Sequence, residues 1–257
     1  MNNSPSADFE IQVAQFTKRK KTFCVHKKRG TKVMYFGEDA VAISKQKKKK
    51  SITDKALNRE VVNLIANVAK NINAFIVSSN FSFDIEEERH SSTWTNRELY
   101  KTLEEGKEFY YIDIAHCFWR IAFLKGYISQ SMYKSILKKP HLKTYRNMAL
   151  ACVIAPSSRD YYIRGVKTMS IEEDKTLQRL IYDNIRFTCY NLMGDIVSAI
   201  GEQYVIGYRT DGILVLPEKK DAVIQMIIEQ DFKCTEKKMT KVDDSFYQHS
   251  NGTKKHL

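Results

Sequence analysis

Apolar residues at Leu57, Val61, Leu64, Ile65, Val68 and Ile72 in ITDKALNREVVNLIANVAKNINAFI repeat at the spacing of one helix face, and Thr53 or Asp54 stands where a cap belongs. Ahead of them, TFCVHKKRGTKVMYFG sets apolar and aromatic residues on either side of a basic turn ending in Gly30, which predicts a hairpin. Residues 80–108 are mixed and polar, include Glu86, Glu87 and Glu88, and read as a solvated acidic loop. From residue 109 the pattern sharpens. FYYIDI (Phe109 to Ile114) predicts a short buried strand, followed by a helical stretch, AHCFWRIAFLKGYIS, ended by Gly126. YYIRGVK is a strand or a loop. Leu177, Leu180, Ile181, Ile185, Leu192, Ile196 and Ile200 mark one face of a long amphipathic helix. QYVIGYRTDGILVLP predicts two strands around an Asp-Gly turn, EKKDAVIQMIIEQ a helix, and FKCTEKKMTKV a closing strand. Strand, helices, strand, hairpin strand, helix, strand is the split βαβ order. The expected fold class is therefore α+β: a ferredoxin-like antiparallel sheet with helices on one face over 109–257, behind a basic α/β extension over 1–108.

Composition narrows the partner. The chain has 257 residues with 42 Lys and Arg against 30 Asp and Glu, a formal charge of +12, and 43% apolar residues, enough for a real core. No apolar run approaches the roughly 18 residues of a membrane span, and MNNSPSADFEIQ lacks the regions of a signal peptide. The five cysteines are far apart and form no Cys-x-x-Cys pair, so they read as reduced thiols of a cytoplasmic protein. Positive charge clusters at Lys18, Arg19, Lys20 and Lys21, at Lys27, Lys28 and Arg29, and at Lys45, Lys47, Lys48, Lys49 and Lys50. Such runs are either solvated loops or contacts to a polyanion. Nucleic acid is favoured over lipid because no basic amphipathic helix of membrane type stands out.

In the split βαβ order the first strand and the central hairpin lie side by side, which would bring Asp113 close to Asp211. Two carboxylates so placed can hold two Mg2+ (or Mn2+) ions about 4 Å apart for phosphoryl transfer. Each has a structural alternative: Asp before Gly suits a type I′ turn, and Asp113 could cap the following helix. Asp84-x-Glu86 is the metal pair of proofreading exonucleases in spacing only, because no further carboxylate motif accompanies it.

Three segments in order resemble the palm of family B DNA polymerases. Asp113 is followed five residues later by Phe118 in DIAHCFW, Lys143 by Asn147 in KTYRNMALA, and GYRTDGILV retains Thr210 and Asp211 of a Tyr-x-Asp-Thr-Asp-Ser hairpin. The resemblance covers about residues 109 to 242. It implies that Asp113 and Asp211 bind the catalytic metals, that Phe118 sits at the sugar gate, and that Lys143 meets the triphosphate with Asn147 in the same pocket. Arg146 is added as a further phosphate contact. Lys237, Lys238 and Lys241 fall where the family contacts the primer strand. Arg209 replaces the hairpin's first Asp, and His116, Cys117 and Trp119 replace the usual Ser, Leu and Pro. Only 30 residues separate Asp113 from Lys143, too few for a full fingers domain, so the palm would be a reduced one of phage or plasmid type, working in the cytoplasm with deoxynucleoside triphosphates, a DNA primer-template and an accessory subunit.

Two other readings compete. A polymerase-derived sheet without catalysis would bind nucleic acid alone, since fold does not decide function. A cyclase or archaeal-type primase would share the topology, but neither signature is present.

Overall fold

The computed structural model describes residues 5–28, 31–45, 55–80 and 82–257, without the side chains of 5–8, 28, 40–45 and 55. Gly30, Thr53, Asp54, Arg29, Lys47, Lys48, Lys49 and Lys50, with the side chains of Lys28 and Lys45, lie outside the described residues. The fold is α+β. In chain order its elements are α1 (Pro5–Lys18), β1 (Phe23–Lys28), β2 (Thr31–Phe36), β3 (Asp39–Lys45), α2 (Lys55–Ser78), β4 (Thr93–Thr95), α3 (Arg97–Thr102), β5 (Glu108–Ile114), α4 (Cys117–Leu124), α5 (Gln130–Leu137), α6 (Lys143–Ala151), β6 (Ser157–Ile163), β7 (Val166–Glu172), α7 (Thr176–Ile200), β8 (Val205–Arg209), β9 (Gly212–Val215), α8 (Lys220–Glu229), β10 (Cys234–Lys241), β11 (Phe246–His249) and β12 (Lys254–His256).

The chain forms two compact units that alternate along the sequence, residues 1–69 with 148–179 and residues 70–147 with 180–257. The expected division at 108/109 falls inside the second unit. YYIRGVK forms parts of β6 and β7, and β6 pairs antiparallel with β1 rather than joining the later strands.

In the first unit the strand order is β3-β2-β1-β6-β7, and all pairings are antiparallel. The hairpin expected around the basic turn is β1 and β2. Phe9, Val13 and Phe16 of α1 recur at helical spacing and pack with Phe23, Val25, Met34 and Tyr162. Asp160 is buried among them, ion-paired with Lys27 and with Lys167 at 2.9 Å, and accepts from the Ser170 hydroxyl at 2.6 Å. These partners hold its carboxyl well below the usual range against the opposing effect of burial.

In α2, residues 56–78 are long and apolar enough to cross a membrane by length and composition alone, where the sequence reading found no such run. Its buried positions Val61, Leu64, Val68, Ile72 and Ile76 form one stripe, and Val62, Asn63, Ala66 and Asn67 lie exposed between them. That is the pattern of a helix packed along one side.

The second unit carries the larger sheet, in the order β12-β11-β10-β5-β9-β8-β4. Its central strands β10-β5-β9-β8, numbered among themselves in chain order, run 4-1-3-2 with antiparallel neighbours. Residues 82–92 are irregular, but they are not a free loop. Asn184 and Asn191, two turns apart on α7 and both buried, fasten them down. Asn184 donates to Asp84 O at 2.6 Å and accepts from Glu86 N. Asn191 donates to Glu87 O at 2.7 Å and accepts from the amides of Arg89 and His90. Arg89 adds a bidentate pair with Asp195 at 2.8 Å, which is exposed.

A buried amide that satisfies three backbone groups is expensive to remove, whereas an exposed ion pair contributes little. Asn191→Ala should therefore destabilise the protein by about 2–4 kcal/mol in urea unfolding and speed hydrogen exchange at residues 87–90. Arg89→Ala should cost less than about 1 kcal/mol.

Candidate active site

Side chains alternate across a strand, so Phe109, Tyr111 and Asp113 share one face of β5 and Ile112 and Ile114 the other. The middle of the Ile face is covered: Ile112, Ile114, Ile213 and Val215 are at most 1% exposed. On the Asp113 face, α3 contributes Tyr100 to a cluster with Phe109, Met239, Leu214 and Tyr247, and this closes one end of the sheet surface. Asp113 lies at the other end of the strand.

Asp113 pairs with Gly212 across the β5–β9 ladder, and the amide of Ile114 donates to Asp211 O at 2.9 Å. The two acids thus adjoin although 98 positions separate them in sequence. Among the described residues neither forms an ion pair. Burial, and then the charge of Asp113, push the Asp211 carboxyl up to about 6, opposed by a backbone hydrogen bond and by Lys143. Asp113 accepts from the Tyr111 hydroxyl at 3.1 Å. Burial first, and then the Asp113 carboxylate, raise that hydroxyl above its ordinary range.

The hairpin turn sits one residue earlier than an Asp-Gly turn would. Arg209 pairs with Gly212, leaving Thr210 and Asp211 as the turn, and the positive φ belongs to Thr210 at 54°. Its amide donates to Ser92 O at 2.7 Å and its carbonyl accepts from the Cys189 thiol at 3.3 Å, which hold the strained residue in place. Glycine is needed at 212 for space: a Cβ there would run into the Tyr111 ring and hydroxyl. Tyr111 can therefore lie across the hairpin and reach Asp113.

Of the residues carried by the resemblance, Lys143 and Asn147 are both exposed one turn apart on α6, and the charge of Lys143 is felt at both Asp211 and His116. Phe118 lies in α4 and is 9% exposed. Arg146 does not join the exposed face. It is 2% exposed, with NH2 donating to the carbonyls of Ile136 at 3.0 Å and Lys139 at 3.3 Å and NH1 donating to the His116 ring at 3.0 Å. A guanidinium so engaged organises its own helices instead of reaching for phosphate. His116, in the left-handed region at φ 59°, stands at the N-cap position of α4 without a side-chain capping hydrogen bond. Burial, Arg146 and Lys143 lower its pKa, so the ring is neutral and accepts from Arg146.

The three lysines expected at a primer separate. Lys237 is exposed and, opposite Tyr111, shares the Asp113 face. Lys238 points to the other face and pairs with Glu108 at 2.6 Å. Lys241 is 4% exposed, donates to Leu103 O at 2.7 Å and Asp244 at 2.8 Å, and lies over the Tyr100 ring, so it is a structural cation. In the other unit Lys18, Arg19, Lys20 and Lys21 are exposed, whereas Lys27 is engaged by Asp160.

The sequence reading missed Tyr111 as a partner of Asp113. Its place two residues earlier on a strand was the available signal, because i and i+2 share a face. Lys255 carried no signal, since its strand is short and wholly exposed.

Among the described residues no three His, Cys, Asp or Glu side chains gather as a metal cluster. The Asp113–Asp211 pair still fits a hard divalent cation: it offers neighbouring carboxylates that form no ion pair among the described residues, and Mg2+ characteristically takes one or two carboxylates and completes its shell with water and phosphate. No protein family, curated protein or solved structure matches the chain.

Raising an acid's pKa on folding opposes stability once the acid ionises. The penalty at Asp211 is absent below the unfolded value of 3.8, grows as pH rises towards about 6, and is complete above that. Asp211→Asn should therefore match the parent in stability at pH 4 and exceed it by roughly 2–3 kcal/mol at pH 7.5 in EDTA, read from urea midpoints.

Proposed function

We propose that the chain is a reduced, family B-like nucleotidyltransferase that uses two metal ions to add deoxynucleotides to a DNA primer paired with its template. The observation that carries this reading is the approach of Asp113 to Asp211 across paired strands, with neither acid ion-paired among the described residues and only the more distant charge of Lys143 opposing their repulsion. Like charges held half-buried are unfavourable unless a ligand repays the arrangement, and perturbed carboxylates of this kind concentrate at functional sites. The 4-1-3-2 order of the central strands supports the same reading, since it is the order of the split βαβ sheet.

Asp113 and Asp211 would hold Mg2+ or Mn2+, which when bound supplies activation of the primer hydroxyl and charge neutralisation at the leaving oxygen. Tyr111 fixes the rotamer of Asp113 through its hydrogen bond, so the carboxylate is oriented before any ligand arrives. Lys143, exposed and within reach of the acids' field, would draw the triphosphate, with Asn147 beside it one turn on. Thr210 sets the turn that presents Asp211. Phe118 would border the sugar from α4. All five cysteines are free thiols, in keeping with work in a reducing cytoplasm, and the short segment between Asp113 and Lys143 calls for an accessory subunit.

The second reading, a polymerase-derived sheet that only binds nucleic acid, is favoured by one observation: Arg209 stands on the hairpin where the family has an acid, and a nearby cation weakens metal binding.

Purified protein with primer-template and either metal should extend the primer, and Asp113→Asn and Asp211→Asn should each lower the rate at least about 100-fold while remaining folded by circular dichroism. No incorporation by the parent protein, with binding intact in both variants, would establish the second reading. Phe118→Ala should relax discrimination against ribonucleotides, measured as the ratio of kcat/KM for the two sugars; an unchanged ratio removes Phe118 from the gate.

A further inference from the structure

The Asp113 face holds a second feature, a trough running away from the acids. Across the sheet Arg209, Gly212 and Asp113 stand in one row, and Gly207, Leu214, Tyr111 and Lys237 in the next. A small cavity open to solvent is lined there by Thr95, Tyr111, Arg209, Leu214, Tyr247 and Lys255 among others. In a flat sheet β8 and β12 would be five strand spacings apart, about 24 Å. Arg209 of β8 and Lys255 of β12 nevertheless line one cavity, so the sheet curls around this face and brings its distant strands together.

Two of the residues lining the trough, Arg209 and Lys255, carry cationic side chains and none carries an acidic one. Lys237 stands beside Tyr111 on the same face, and among the described residues none of the three cations forms an ion pair. Their fields reach nearby positions of one strand: Arg209 acts on Tyr247, and Lys255 with Lys237 acts on His249, two residues further along β11. Unpaired cations on both rims of a curled sheet, with apolar Leu214 and a tyrosine between them, complement a chain of phosphates carrying sugars. Cation–phosphate contacts of this kind dominate the affinity of nucleic-acid sites.

We propose that this trough binds the terminal nucleotides of a single nucleic-acid strand, with Arg209 and Lys255 holding phosphates from opposite rims above a floor formed by the largely buried Leu214 and Tyr247. Arg209 is then a strand-binding residue, which accounts for a cation at a position where a third carboxylate would repel the backbone. The proposal rests on the nucleotidyltransferase reading only in taking the end of the strand to face Asp113. The strand contact itself needs no metal and no catalysis.

The test is fluorescence anisotropy of a labelled 12-nucleotide single-stranded DNA in EDTA, with variants checked for folding by circular dichroism. Arg209→Glu with Lys255→Glu should weaken binding at least tenfold, and the double Gln variant, kept as a milder substitute, should lower the slope of log affinity against log salt by about 1.4, the value for two phosphate contacts on a single strand. Lys18→Glu with Lys20→Glu should weaken binding less than the trough reversal. Asp113→Asn should bind the oligonucleotide at least as tightly as the parent, so loss of incorporation in that variant and loss of binding in the trough variants report separately. Unchanged affinity and salt slope in both trough variants, or full displacement of the oligonucleotide by stoichiometric inorganic pyrophosphate, would overturn the assignment.

Discussion

Pairing of β5 with β9 is the interaction on which the candidate site depends. It places Asp113 opposite Gly212 and brings Ile114 N to Asp211 O, so two acids far apart in sequence become neighbours through backbone geometry alone. Neither side chain stabilises the arrangement; burial first, and then the repulsion of the two charges, oppose it and raise the pKa of Asp211. The ladder, the covered Ile face behind it and the fastening of Thr210 by Ser92 and Cys189 supply the stability that keeps the acids together. Functional sites characteristically carry such a local conflict, compensated by the surrounding fold.

Around that pair, space matters as much as charge. Gly212 leaves the room through which Tyr111 crosses to Asp113, and a single Cβ would expel the ring. The closed end, where Tyr100, Phe109 and Met239 pack, is rigid for the ordinary reason that large apolar groups exclude water there.

Several polar residues serve the fold in places where a ligand could have been expected. Arg146 binds two carbonyls and a histidine, Lys241 two carbonyls and an aspartate, Lys27 the buried Asp160. Buried charge requires such partners, and once the partners are engaged the charge is no longer offered to solvent. Arg209, Lys237 and Lys255, which share one sheet face and form no ion pair among the described residues, are therefore more informative about a polyanion than the total of +12.

Period and order along the chain were enough to identify the β1–β2 hairpin, α2, β5, α7, the β8–β9 hairpin, α8 and β10, and with them the α+β class, because each of these segments carries its own apolar alternation or helical repeat. The proximity of Asp113 and Asp211 was likewise legible, since a hairpin laid beside the first strand allows little else. Three things were not. The turn fell on Thr210–Asp211 because tertiary contacts to Ser92 and Cys189 outweighed the local preference of Asp-Gly. Residues 82–92 lacked any period because their order comes from Asn184 and Asn191 on a distant helix. The roles of Arg146 and Lys241 were decided by burial, a property that a residue's type and spacing do not carry and that arises only when remote segments close over it.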